Sequence, residues 1–531
     1  RSTLFPYTTL FRSRTGSPFA PRRPTLLNIP VLGSDAPPSS AAPPGVPTAL
    51  HAPPDQRVTA WFVVVLAFII LSLILGALAP VRAEDKGPVL SPGDAVVTGF
   101  SGIKPPSGPV PPGKLALDGF FIDPDGPSAQ ILSFAAMGGQ PSGQLVTAPA
   151  LRQLKASEIG QVFAIALDDG LGGKTPNIYL GATSAFGLHI VGSDKDGDGQ
   201  PERLKKGEPG AEWMAGQFGP NEAGPGAIWK VDGATGEITL FATLPVNSGP
   251  GVGDIVFDKA HKQFFVSDLD TGFIHRIGET GEIVEGFDHG TSGRPAKGLP
   301  ELGDDGRRAE IGTAGFDVED PSSWGFTQED RMVWGLAIRD GRLFYAVAGG
   351  HQIWSIGIAD DGRFAGDARW ELDADGLSGN GPITDMLFDG EGRLHLAQRG
   401  KARGSYDYSL FAEAEKSSVV RYRREQPDDP ATPSVWGQEP DDYAIGLPPE
   451  HRHADGGIAL GFAHDETGNL RLGACGQTLW STGHRLRPGA LAVGDVGDVS
   501  EKEAEAAKFD VHGLQRSEEH TSELQSQNRI S

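Results

Sequence analysis

Residues 193–204 read Ser-Asp-Lys-Asp-Gly-Asp-Gly-Gln-Pro-Glu-Arg-Leu, so Asp194, Asp196 and Asp198 stand at alternate positions and Gly199 follows. Alternate carboxylates on a tight loop converge on one point, which suits a hard cation wanting several oxygen ligands; glycine at the sixth position permits the sharp turn. Glu202, three residues after Gly199, adds a further oxygen ligand, directly or through water. Left without a cation, four such acids would repel one another. The expected cofactor is therefore calcium, held by Asp194, Asp196, Asp198 and Glu202 in an open site suited to extracellular concentrations.

Whether such a loop works alone depends on what carries it, and both ends of the chain must be set aside first. Thr3–Ser13 and Arg516–Ser526 resemble translated sequencing adapter, so residues 1–13 and 516–531 are excluded from fold reasoning. Residues 14–57 are rich in Pro and Ala and contain no Met, as expected of a disordered leader or upstream translation. Ala60–Ala79 is uncharged and long enough to span a bilayer, and Val81-Arg82-Ala83 supplies small residues for a signal peptidase. Residues 58–83 thus read as a signal peptide cleaved after Ala83, with a retained membrane anchor as the alternative. Either way the remainder is exported to the periplasm, the cell surface or the medium.

Internal repetition is the strongest signal in that remainder. Residues 177–184, 263–270, 342–349, 393–400 and 469–476 superpose as apolar runs with period two, the mark of half-buried strands. A second apolar run precedes each, at 162–169, 253–260, 334–341, 384–391 and 459–466, usually across a short Asp- and Gly-containing turn. A third follows, at 227–232, 273–278, 352–357, 419–424 and 478–483, and a fourth where a tight turn allows it. Four antiparallel strands repeated in this way bury both faces only by packing radially. The expected fold is an all-β propeller with five recognisable blades over 161–487. A sixth would use 94–100 or 129–137, within the extension 84–160, or lie beyond the truncated segment 488–515.

The shared pattern Gly-φ-Ala-φ-x-Asp-Gly-x-φ-φ-φ-Ala over Gln161–Arg485 resembles NHL repeats and the six-bladed gluconolactonase-like and TolB-like propellers. The gluconolactonase-like likeness implies a divalent metal held by Glu, Asn and Asp of several inner strands. Asp254 and Asp385 match the acidic positions, whereas no Glu opens a first strand and no Asn stands at an equivalent place. The 194–199 run is similar to the first half of an EF-hand loop and to the calcium loops of dockerin-type and thrombospondin-type repeats. It departs from the EF-hand at the twelfth position, which is Lys205.

Sorting the connections places the long insertions 185–226, 289–331, 401–417 and 425–456 on one face of the disc, the other keeping mostly tight turns. Long loops gathered on one side of a compact domain indicate a binding face. On that face Asp254 and Asp385 take equivalent positions at the channel mouth with Trp334 beside them. Asp268, Asp270, Gln398 and Arg399 lie near the rim, and Tyr406 comes from an aromatic insertion. These residues read either as a polar or cation-binding pocket or as loop caps and channel solvation.

The formal charge of −23 argues against nucleic acid and anionic membrane surfaces, leaving contact with a membrane only through the possible anchor. Cys475 is the only cysteine, so no disulfide framework holds the chain. No nucleophile elbow, phosphate-cradling loop or Cys-x-x-Cys occurs. The expected function is an exported binding module that takes a protein or small-molecule ligand on its insertion-bearing face, stiffened there by calcium. The alternative is a metal-dependent lactonase or hydrolase of the gluconolactonase-like type.

Overall fold

The computed structural model describes residues 8–12, 88–104, 121–135, 148–170, 175–186, 190–192, 204, 207–220, 223–377, 379–403, 412–413, 416–426, 434–439, 443–446, 451–484, 486 and 513–518. Contacts divide the chain into two units, Arg1–Pro18 with Pro88–Ser531, and Phe19–Gly87; every described residue belongs to the first. The proposed signal segment 58–83 and the calcium loop 194–202 lie outside the described residues.

Consecutive residues of a strand point to opposite faces of its sheet, and here both faces are apolar. Phe264 packs into the cluster shared with the preceding sheet, and Phe265 into the cluster shared with the next. Tyr345 and Phe344 repeat the arrangement one sheet on. A sheet with two oily faces needs a partner on each side, and the chain satisfies every sheet by closing six of them into a ring. It is an all-β, six-bladed propeller of four-stranded antiparallel blades with few helices.

Blade 2 consists of Val162–Leu167, Ile178–Ala182, Ala227–Val231 and Ile238–Thr243, from the channel outward. Blade 3 is Val252–Asp258, Gln263–Asp268, Phe273–Ile277 and Ile283–Asp288. Blade 4 is Val333–Arg339, Arg342–Val347, Gln352–Gly357 and Arg369–Asp373. Blade 5 is Ile383–Phe388, Leu394–Gln398, Val419–Gln426 and Val435–Gln438. In these four blades each strand pairs antiparallel with its neighbour in the register set by the hairpins.

Blades 1 and 6 depart from the pattern. Blade 1 combines both candidate segments, Asp94–Gly99 and Pro127–Ser133, with Ala150–Lys155 outside; Thr8–Arg12, from the end set aside in the sequence as adapter-like, lies parallel to Asp94–Gly99 in the innermost place. Blade 6 corrects the repeat reading. The runs 469–476 and 478–483, expected as second and third strands, form one strand, Leu470–Gly483, paired along Ala454–His464. Gly476, at φ 78°, sits at a register shift where a bulge, not a turn, absorbs the irregularity. The third strand of blade 6 is Gly513–Glu518. The expected connection 425–456 likewise contains blade 5's outermost strand, Val435–Gln438.

The ring closes between blades 6 and 1 by packing and by hydrogen bonds, among them the Leu470 amide donating to the Ala135 carbonyl at 3.3 Å. Trp480 stacks against Phe134 with ring centroids 4.7 Å apart, amid Ala95, Val97, Leu132 and Ala459. His464 Nε2 lies 2.7 Å from the carbonyl oxygen of Phe134 beside it. Truncating a buried Trp removes transfer free energy and leaves a cavity. Trp480→Ala should therefore lower the unfolding free energy in urea by about 3–5 kcal/mol; a loss under about 1 kcal/mol would show that this contact does not hold the ring shut.

Candidate functional site

The innermost strands of blades 2 to 6 each carry a β-bulge near the start, with register shifts at Val162/Ala164, Val252/Ile255, Val333/Leu336, Ile383/Asp385 and Ala454/Ile458. A bulge takes backbone groups out of the ladder, and buried backbone groups need partners. Asp254 supplies them twice, accepting from the amide of Ile255 at 2.7 Å and, across the blade boundary, from that of Leu336 at 2.8 Å. Asp385 repeats the device two blades on, accepting from the amides of Met386 and, at 2.8 Å, Ile458 of blade 6.

The carbonyls of the same bulges are served by hydroxyls. Thr98 donates to the carbonyl of Phe163, Ser267 to that of Trp334 and Thr384 to that of Gly456, at 2.7 to 2.8 Å. Where blade 4 meets the Asp385 strand the position equivalent to the aspartates is Gly335. A Cβ there would lie 2.9 Å from Met386 Cγ and 3.1 Å from the amide nitrogen of Asp385, so the blades touch backbone to backbone.

Burial raises the pKa of both aspartates. That of Asp385 is pushed up to about 7, moderated by the two amides it accepts from. That of Asp254 is raised well above the usual carboxylate range, first by burial and then by the charge of Asp385. Asp254 and Asp385 thus share the channel as a mutually repelling pair.

At the rim, Asp268 and Asp270 act as caps. Asp270 accepts from the Ser248 hydroxyl at 2.7 Å and from the amides of Gly249 and Gly251 at 2.9 and 2.8 Å. Burial and then the charge of Asp268 nevertheless push its pKa up to about 6. Asp268 accepts from Thr271 at 2.7 Å and lies 3.1 Å from His275 Nε2. Gln398 donates through Nε2 to the Gly381 carbonyl at 3.0 Å. Arg399 donates to the Asp455 carbonyl at 3.0 Å and stacks its guanidinium 4.1 Å from the centroid of Phe186. Tyr406, like Asp194, Asp196, Asp198 and Glu202, lies outside the described residues.

A cavity of about 360 Å³ lies beside Trp334, and none of Asp254, Asp268, Asp270, Asp385, Gln398 and Arg399 lines it. Phe186 enters it from the loop after blade 2's second strand. The long connection between blades 3 and 4 supplies Arg307 and the run Phe326–Glu329 with Met332. Trp334 comes from blade 4's inner strand, Pro382 from the approach to blade 5, and Lys401 and Ala402 from the loop behind it. Phe163, Phe186 and Trp334 form one aromatic group, with centroids 5.1, 5.3 and 6.4 Å apart. Trp334 Nε1 lies 3.0 Å from the Met332 sulfur. Three of the four long insertions thus meet around one space. The aromatic partners escaped the sequence reading, although Phe163 occupies the same repeat position as Trp334 and was open to discovery by that alignment.

No protein-family model matches the chain, and no curated protein matches it in sequence. Among solved structures it is similar to a calcium-binding protein, regucalcin, from Agrobacterium tumefaciens, at 11% identity and a TM-score of 0.29, over 67% of this chain and 88% of that one. It is also similar to a putative glucose dehydrogenase from Thermus thermophilus, at 14% identity and a TM-score of 0.31, over 75% and 94%. An aldose sugar dehydrogenase from Streptomyces coelicolor gives 16%, 0.25, 56% and 91%. The assignment of the fold rests on the sheet topology of the chain itself.

The buried pair makes stability depend on pH. A carboxyl whose folded pKa is raised binds its proton more tightly when folded, so its contribution is complete below the unfolded value, near 4, and fades as pH rises through about 7. Asn at 385 keeps an acceptor for Ile458 and cannot ionise. Asp385→Asn should match the parent near pH 4 and exceed it at pH 8 by on the order of 2 kcal/mol in denaturant unfolding. A variant less stable by the same amount at both pH values would show that the charge is not strained.

Proposed function

We propose that the protein is an exported binding module that takes a small ligand in the cavity at the channel mouth. The observation carrying this reading is the cavity itself, about 360 Å³ and walled by loops from blades 2 to 5, with an aromatic floor and a polar rim. That size and lining suit a small molecule oriented by a few polar groups. Filling the space from a half-buried wall position should abolish binding while sparing the fold, and Ala402 offers one. Small amphipathic molecules that raise the melting temperature of the parent should fail to do so with Ala402→Trp. Equal shifts in both proteins would place binding elsewhere.

The lactonase reading requires a divalent metal, and the channel residues do not fit one. Among the described residues no three of His, Cys, Asp and Glu converge, and the oxygens of Asp254 and Asp385 are already engaged by backbone amides. Lactone turnover appearing on addition of divalent metal, and lost in Asp385→Asn, would restore that reading.

Calcium bound by Asp194, Asp196, Asp198 and Glu202 completes the proposal, stiffening the insertion that begins beside Phe186. Among the described residues no helix is long and apolar enough to cross a membrane; export rests on the sequence at 58–83. Expressed with that segment in a bacterial host, the mature chain should begin at Glu84. Titrated with calcium, it should melt higher, and Asp196→Ala should lose the response. A melting point indifferent to calcium in the parent would remove the cation from the proposal.

A further inference from the structure

The cavity's charged rim allows its ligand to be specified further, on the premise that the cavity is the binding site. Its walls are apolar where Phe186, Phe326, Met332 and Trp334 meet, so the body of a ligand must be apolar. The charged side chains lining it are Arg307, Lys401 and Glu329: two cations and one anion, on a chain whose formal charge is −23. Arg307 is held aside by Asp305, with Nε 3.2 Å from the carboxylate. Lys401 and Glu329 reach each other across the mouth, Lys401 from the loop behind blade 5 and Glu329 from the connection before blade 4.

That pair is suited to exchange. Both side chains are about half exposed, at 48% and 55%, and exposed ion pairs are weak. Their backbones are fixed independently of the pair, the Glu329 carbonyl accepting from Gly349 at 2.9 Å and the Lys401 carbonyl from Glu413 at 2.9 Å. Glu329 can therefore swing into solvent while Lys401 stays over the cavity.

We infer that the cavity selects an apolar molecule bearing one carboxylate, whose head group displaces Glu329 from Lys401 while its body lies against Trp334 and Phe186. Three probes of one shape and different charge test this: 2-naphthoate, 2-naphthylmethanol and 2-naphthylmethylammonium, titrated calorimetrically into the full chain at low salt. Naphthoate should bind at least about fivefold tighter than the alcohol, with the ammonium weakest, and added salt should narrow the gap as screening grows. Lys401→Gln should bring naphthoate to within about twofold of the alcohol without changing the alcohol. Glu329→Gln, which frees Lys401, should tighten naphthoate alone.

A preference that survives Lys401→Gln, or tightest binding by the ammonium, overturns the inference but leaves the cavity reading standing, provided Ala402→Trp abolishes binding of all three probes. Failure of every probe to bind, or binding indifferent to Ala402→Trp, overturns the cavity reading and the inference together.

Discussion

A β-sheet that is apolar on both faces cannot rest against water on either, and this chain makes every complete blade such a sheet. Ring closure is the solution that leaves no face uncovered, and it fixes much else. The inner strands must crowd around a narrow channel, their backbones must approach closely, and the connections between strands must emerge at the two ends of the disc. The long insertions then have one place to meet. The cavity at the channel mouth follows from the geometry of closure as much as from the residues lining it.

Crowding at the channel raises a second problem, because the bulges that bend the inner strands leave amides and carbonyls without ladder partners. Asp254 and Asp385 answer it for the amides, and Thr98, Ser267 and Thr384 for the carbonyls, each reaching into the next blade. The aspartates of the inner strands therefore serve the scaffold, and the groups lining the cavity are aromatic and charged residues carried mainly by the loops. This division separates the channel from any chemistry at the mouth, even though both were built from neighbouring residues of the same strands.

Much of this was legible before any coordinates. Period-two alternation revealed the strands of blades 2 to 4 and the inner three of blade 5, and equivalent repeat positions revealed that Asp254 and Asp385 belong together. Blade 1 was harder, since long segments without hairpin signals separate Asp94–Gly99 from Pro127–Ser133 and Pro127–Ser133 from Ala150–Lys155. In blade 6 the glycine at 476 looked like punctuation and is a bulge, two uses of the same freedom at positive φ. The rim aspartates were ambiguous in principle, because Asp caps a nearby amide with the chemistry it would use on a ligand. The role of Asp254 was hidden for another reason: its decisive partner, the amide of Leu336, lies 82 residues away.

The bonds made onto the bulges of the innermost strands cross at three of the blade boundaries. Hydroxyls pass from blade 1 to 2, from 3 to 4 and from 5 to 6, and the carboxylates of blades 3 and 5 follow the same beat. Gly335 and Gly457 fill the matching place in the receiving blades 4 and 6. A side chain at Gly335 would press on the backbone of Asp385, so the seat of that aspartate is set in part by a residue of the blade before it.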